Sequence, residues 1–265
     1  RTPNPCVRCN SLVKWDAFVQ QADKLGAAYI TTGHYAKVQH LKGSSVLKKG
    51  KDSLKDQAYV LWGIPAHTLS RTLFPLGDLT KEEVRNIARK NKFETAEIPE
   101  SMEICFVADN NYKRFLKEYI PEKMSKIGVG EIVDESGEVV GKHSGYTDYT
   151  IGQRKGLGLS TPEPRYVSNI DPSNNQIRIG KKESLTKDNC EVSGVNWLVD
   201  NMSFPCDIQA QIRYNSPVID ATITQKDHQF SVEFAQPQIA VTPGQSIVFY
   251  KNDIVLGGGI IEKIY

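Results

Sequence analysis

The chain has 265 residues, with 39% hydrophobic and 24% charged side chains and a formal net charge of only +2. That is ordinary for a soluble globular protein of two or three domains, and it excludes a disordered chain or one driven to nucleic acid by bulk charge alone. No run of 18 apolar residues occurs, so no membrane span is expected, and Arg1–Asn10 lacks the apolar core of a signal peptide. Five cysteines suit a reducing cytoplasm better than a secreted disulfide scaffold.

The first stretch, Arg1-Thr-Pro-Asn-Pro-Cys-Val-Arg-Cys-Asn10, places Cys6 and Cys9 three residues apart in a Pro-rich turn. Leu12, Trp15, Phe18, Val19, Ala22 and Leu25 follow at helical spacing, and Gly26 ends the pattern. The spacing therefore sets Cys9 at or just before a helix N-terminus, where free N–H groups and nearby Arg8 and Lys14 favour a thiolate. A nucleophile is one reading of Cys9, and a packing cysteine is another. Cys-x-x-Cys is also half of a zinc site, but Cys105, Cys190 and Cys206 stand alone, so no structural metal is expected.

Residues 28–32 form a β-branched and aromatic run, followed by Gly33 and His34. Helix, strand and then glycine is the pattern of a doubly wound parallel sheet, whose strand ends bind nucleotides. His34 either enters that crevice or is a structural histidine. Residues 39–55 suggest a loop or small hairpin, and Asp56 a cap for a helix over 56–62. Thr80 to Glu83 is a capping box for a helix reaching about Lys90. A further helix is expected over Tyr112–Tyr119, with Tyr112, Phe115, Leu116 and Tyr119 on its apolar face. Between them, in Pro99–Val107, Cys105 is a buried core residue as readily as a reactive one.

Composition shifts at Pro121. Gly130–Val133 and Glu138–Gly141 suggest a hairpin, and Thr150–Gly158 an exposed, flexible basic loop. From Cys190 the alternation over 206–214, 218–224, 230–234 and 246–250 suggests a small β-barrel. Basic clusters at Lys48, Lys49, Lys51 and Lys55, at Arg85, Arg89, Lys90 and Lys92, at Arg154 and Lys155, and at Lys181 and Lys182 could follow phosphates or be solvated surface.

Taken in order, Thr2–Asn10, Thr31–Tyr35, Lys55–Gln57, Glu103–Phe106, Gly145–Gly158, Arg213–Tyr214 and Pro243–Gln245 resemble the bacterial tRNA-specific 2-thiouridylases, the MnmA type, along essentially the whole chain. The resemblance implies an α/β fold: part of an ATP-pyrophosphatase-type catalytic domain over 1–112, a small α+β tRNA-binding domain over 113–187, and a C-terminal β-barrel over 188–265. It implies ATP-dependent 2-thiolation of the wobble uridine, by adenylation of the C2 oxygen and sulfur transfer from a cysteine persulfide. Cys9 then resembles the nucleophile and Cys105 the persulfide carrier, the two joining in a transient disulfide. Asn4, Pro5 and Cys6 match the segment at the target base, although some members carry Asp where this chain has Cys6. Gly33 matches an ATP contact; His34, Lys55, Asp56, Gln57, Arg213, Tyr214 and Gln245 match tRNA contacts.

The implied cofactor is ATP with Mg2+. The implied partners are lysine, glutamate and glutamine tRNAs and a cysteine desulfurase or sulfur-relay protein, in the cytoplasm. Family members begin with a further catalytic segment carrying a Ser-Gly-Gly-Val-Asp-Ser phosphate loop, which this sequence does not contain. The chain by itself is therefore expected to be inactive or incomplete, and the alternative reading is a non-catalytic tRNA-binding fragment.

Overall fold

The structure is a computed structural model that describes residues 3–98, 104–107, 109, 111–227 and 229–265. Thr2 and Glu103 of the motifs above, and residues 99–103 of the run before Cys105, lie outside the described residues.

The chain opens on a continuous helix, α1, formed by Pro5–Arg8, Cys9–Ala17 and Phe18–Lys24. Asn4 caps it, its side chain accepting from the Cys6 amide, and Pro5 occupies the first helical position, where its missing N–H costs nothing. The helix thus begins before Cys9, not after it: both thiols lie inside the helix. Cys9–Ala17 is wound with the wider i→i+5 turn of a π-helix. The residues that are buried explain this winding. Asn10 donates to Val60 O at 3.1 Å and Trp15 Nε1 donates to Thr72 Oγ1 at 3.1 Å, and both side chains are buried. Only the wider turn brings residues five apart onto one face. As a result the expected apolar stripe divides, with Trp15 and Ala22 buried and Leu12, Phe18 and Leu25 exposed.

β1 (Ile30–Thr31) and β4 (Thr72–Leu73) pair in parallel. Between them β2 (Ala36–Leu41) and β3 (Ser44–Lys49) form an antiparallel hairpin. The helix expected over 56–62 is only a short 3-10 turn, Ala58–Leu61. All four of its side chains are buried, so it has no polar face to carry a longer helix. Helix α2 (Lys81–Lys90) has the expected capping box, with Glu83 N donating to Thr80 Oγ1 at 3.2 Å and Thr80 N donating to Glu83 Oε2 at 2.6 Å. Helix α3 (Tyr112–Tyr119) is capped by Asn111, and α4 (Pro121–Ser125) follows.

A four-stranded sheet comes next, in the order β6-β5-β8-β7, from β5 (Gly130–Val133), β6 (Val139–His143), β7 (Tyr166–Asp171) and β8 (Gln176–Gly180). Ile132, Val167, Ile177 and Ile179 fill its core. Leu157 joins them, so the basic loop expected to be free is pinned at that residue, and Gly152 N donates to Val167 O at 2.8 Å.

The last region is a closed six-stranded barrel: β9 (Thr186–Trp197), β10 (Cys206–Gln211), β11 (Ile219–Lys226), β12 (Gln229–Ile239), β13 (Ser246–Lys251) and β14 (Ile254–Ile264). The order is β13-β10-β11-β12-β9-β14, and β13–β14 pairing closes it, which removes the open edges. The β2–β3 hairpin attaches to β14 through Ile254 and Lys48. One core joins the first and last regions, with Val7, Trp15, Tyr59 and Leu61 packing in the same cluster as Leu198, Val248, Tyr250 and Val255. The close approach needs Gly258, where a Cβ would lie 2.8 Å from the Trp62 indole and 2.8 Å from Ile247 O.

Candidate functional site

The helix start orders two thiols. Cys6 and Cys9, at i and i+3 on α1, are neighbours on its surface; Cys6 is exposed and Cys9 half-buried. Cys105 comes to them on a tight turn in which Val107 N donates to Ile104 O at 2.9 Å. Val107 is buried, and Phe106 packs on Phe115 of α3 with ring centroids 5.4 Å apart. Anchored at two neighbouring residues, the turn leaves Cys105 exposed; it is not a core cysteine. Partial desolvation raises the Cys6 pKa, and the charges of Cys105 and Cys9 raise it further, while Lys14 and the capped backbone amide oppose them. Three thiols and one ammonium therefore share a field. Cys190, by contrast, is buried in the barrel, where desolvation pushes its thiol up to about 12.

The sequence suggested Lys14 as a charge near Cys9, but gave no sign of its partner His34. The wide turn sets it five residues from Cys9, on the same face. Its Nζ donates to His34 Nε2 at 3.3 Å, so His34 carries its proton on Nδ1, which donates to Thr32 Oγ1 at 2.7 Å. His34 is buried against Trp15 and Phe74, with ring centroids at 5.6 and 6.0 Å. Burial first and Lys14 second lower its pKa to about 4, which keeps it neutral and able to accept. Its neighbour Gly33 is exposed just beyond the carboxyl end of β1.

The remaining expected positions form a second grouping. Asp56 accepts from Gly50 N at 2.7 Å and Ala58 N at 3.3 Å, and burial raises its pKa against those bonds. Gln57 Oε1 accepts from Tyr35 N at 3.0 Å, so both side chains fix the loop that carries Lys55. The Tyr214 hydroxyl donates to Asp56 O, and the Tyr214 ring meets Tyr59 edge-on at 5.9 Å. Arg213 turns inward, its Nη2 donating to Ile151 O, Ala240 O and Thr242 Oγ1 at 3.1, 2.8 and 2.6 Å. Gln245 follows at the barrel end, its amide donating to Thr242 O at 3.1 Å. The structure thus brings 55–57 to 213–214, and ties 213 to the 150–158 loop and to the turn before 245. Among the described residues, no group of three or more His, Cys, Asp or Glu is arranged to hold a metal ion.

The chain matches three family models in succession: the tRNA methyl transferase HUP domain over residues 1–109, the tRNA methyl transferase PRC-barrel domain over 113–181, and the aminomethyltransferase beta-barrel domain over 187–261. It is 46% identical over 265 residues to the tRNA-specific 2-thiouridylase MnmA of Chlorobium phaeobacteroides strain BS1, covering 99% of this chain and 74% of that protein. The chain belongs to the MnmA family. The protein of the same name from Natranaerobius thermophilus is 45% identical over 267 residues, covering 99% of this chain and 72% of its own. That from Carboxydothermus hydrogenoformans is 47% identical over 268 residues, with the same shares covered. The α/β first region, the small middle domain and the closed barrel follow the order of these domain models. No helix among the described residues is long and apolar enough to cross a membrane.

Proposed function

We propose that the protein is a tRNA sulfurtransferase that 2-thiolates the wobble uridine. The convergence of Cys6, Cys9, Cys105 and Lys14 supports this reading, because it gathers the sulfur chemistry that the relatives' name requires and a methyl transfer would not. The substrates are the tRNAs for lysine, glutamate and glutamine, in the cytoplasm. Gly33 presents backbone to ATP at the end of β1, and Asn4, Pro5 and Cys6 face the target base, which must leave the anticodon stack to reach them. Mg2+ accompanies the ATP, and transfer of adenylate to the uridine C2 oxygen makes that oxygen a leaving group.

Cys105 receives a sulfur atom as a persulfide from a cysteine desulfurase or sulfur-relay protein. The Cys9 thiolate attacks Cys105 Sγ; a Cys9–Cys105 disulfide forms, the Sγ–S bond breaks and hydrosulfide leaves. Hydrosulfide adds to C2, the C2–O bond breaks with AMP carrying the oxygen away, and loss of a proton leaves C2=S. Lys14 stabilises the anionic sulfur in this field, and His34 holds Lys14 in place. The second grouping, Lys55–Gln57 with Arg213, Tyr214 and Gln245, carries the tRNA, by shape and backbone contact more than by free charge.

The test is thiolation of a lysine tRNA transcript by the chain supplied with the upstream phosphate-loop segment of the family, with ATP, magnesium and a sulfur donor, read as retarded migration in a mercury-containing gel. Product that depends on ATP and is lost in both Cys9→Ser and Cys105→Ser is expected. Undiminished product in both variants would overturn the roles. Salt-sensitive tRNA binding with no ATP-dependent product would leave the binding-fragment reading in its place.

A further inference from the structure

We propose that Cys6 is a third reactive thiol of this site, which resolves the Cys9–Cys105 disulfide by attacking Cys9 and leaving Cys105 free. The inference rests on the sulfur-transfer reading above, which supplies that disulfide. It begins from placement. Cys6 and Cys9 are one turn apart at the start of a helix, a position where Cys-x-x-Cys pairs act as redox dithiols. Cys6 is exposed, all three thiols are free, and Cys9 and Cys105 each lie within electrostatic reach of Cys6.

Neighbouring Cβ atoms at i and i+3 stand about 5–6 Å apart, and a disulfide needs roughly 3.8 Å. The first turn can close that gap, because the Cys6 amide has no intrahelical partner and is held only by the Asn4 side chain. Moving Cys6 disturbs the 3.0 Å cap from its amide to Asn4 Oδ1 and the bond its carbonyl accepts from the Cys9 amide, which Pro5 O also accepts.

The charges around Cys6 set the timing. Facing it are Cys9 and Lys14 from its own helix and Cys105 from the 104–107 turn, with Arg8 exposed on the same helix. While Cys9 and Cys105 are reduced, ionising either one opposes loss of the Cys6 proton, which desolvation already disfavours. Once those two are joined, neither can ionise and Lys14 remains. Cys6 therefore loses its proton to solvent more readily at the moment its target exists.

In the step, the Cys6 Sγ–Cys9 Sγ bond forms, the Cys9 Sγ–Cys105 Sγ bond breaks, and Cys105 leaves as the thiolate. No net oxidation occurs. An external dithiol then reduces Cys6–Cys9, while Cys105 is already free to accept the next persulfide.

The experiment is disulfide mapping at equilibrium. Wild-type protein and Cys6→Ser are held in a glutathione redox buffer, quenched by alkylation and digested without reduction. In the wild type, Cys6–Cys9 is expected to exceed Cys9–Cys105 by at least about tenfold, whereas Cys6→Ser accumulates Cys9–Cys105. Wild-type protein that ends in Cys9–Cys105 with Cys6 alkylated would overturn the proposal and leave the sulfur-transfer reading intact. Absence of Cys9–Cys105 even in Cys6→Ser would overturn the disulfide step of that reading, and this proposal with it. A second readout needs no disulfide. In a Cys9→Ser, Cys105→Ser double variant, iodoacetamide alkylation of Cys6 should move to lower pH than in the reduced wild type. An unchanged profile would overturn the proposed charge coupling.

Discussion

The hydroxyl of Tyr214 donates to the backbone oxygen of Asp56 at 3.0 Å, across 158 residues of sequence. This bond joins the loop of the first region to the turn after barrel strand β10 and brings two expected tRNA-contact segments to one place. Tyr59 braces it from behind, with its own hydroxyl donating to Ser246 O at 2.8 Å. Replacing Tyr214 by Phe keeps the ring contact with Tyr59 and removes the bond. The expected loss is about 1 kcal/mol of stability, read from the urea midpoint with an unchanged slope.

Acid should destabilise the protein through His34. Its folded pKa of about 4 lies below the ordinary 6.5, so between those values the unfolded chain binds the proton that the folded chain refuses. Stability from this group is therefore complete above about pH 6.5 and falls as pH drops toward 4. The loss is on the order of 3 kcal/mol across that window. Urea midpoints measured from pH 4.5 to 7.5 should show this slope in the wild type and not in His34→Gln.

Arg213 is a pin between the middle domain and the barrel. Arg213→Met removes the donor to Ile151 O and Thr242 Oγ1 and leaves Ala240 O only the Thr242 hydroxyl. Roughly 2 kcal/mol of stability should be lost, and amide exchange around Ile151 and Gly152 should quicken before that of the barrel core. Uniform acceleration along the chain would argue against a local pin.

Gly258 tests the seam between the first region and the barrel. In Gly258→Ala the added methyl would meet the Trp62 indole and Ile247 O, both at 2.8 Å. Neither the strand backbone nor the buried indole has room to yield, so a cost of about 1–3 kcal/mol is expected. Thermal unfolding, together with a change in Trp fluorescence, measures it.

Much of this architecture is legible in residue order. Thr80 and Glu83 announce their helix because a capping box is a local device that needs only its own four residues. The β5–β6 hairpin and the alternating strands β10 to β13 are legible for the same reason. Strands β9 and β14 are not. β14 carries Gly257, Gly258 and Gly259, which offer no alternation to read, and their absent side chains are explained only by Trp62 and the strands facing them. The Lys14–His34 pair is hidden by the π-wound turn, which arises because Asn10 and Trp15, five residues apart, both find buried partners.

By itself the sequence determined the family, the thiol motif and the local elements, since each is written in neighbouring residues and their order. Tertiary structure alone decided which groups meet. Burial wound α1 wide enough to set Lys14 against His34; Val107 and Phe106 held Cys105 out toward Cys6; and barrel closure carried Tyr214 to Asp56. Those outcomes depend on competition among distant surfaces for burial and for hydrogen-bond partners, and no short window of sequence contains both sides of that competition.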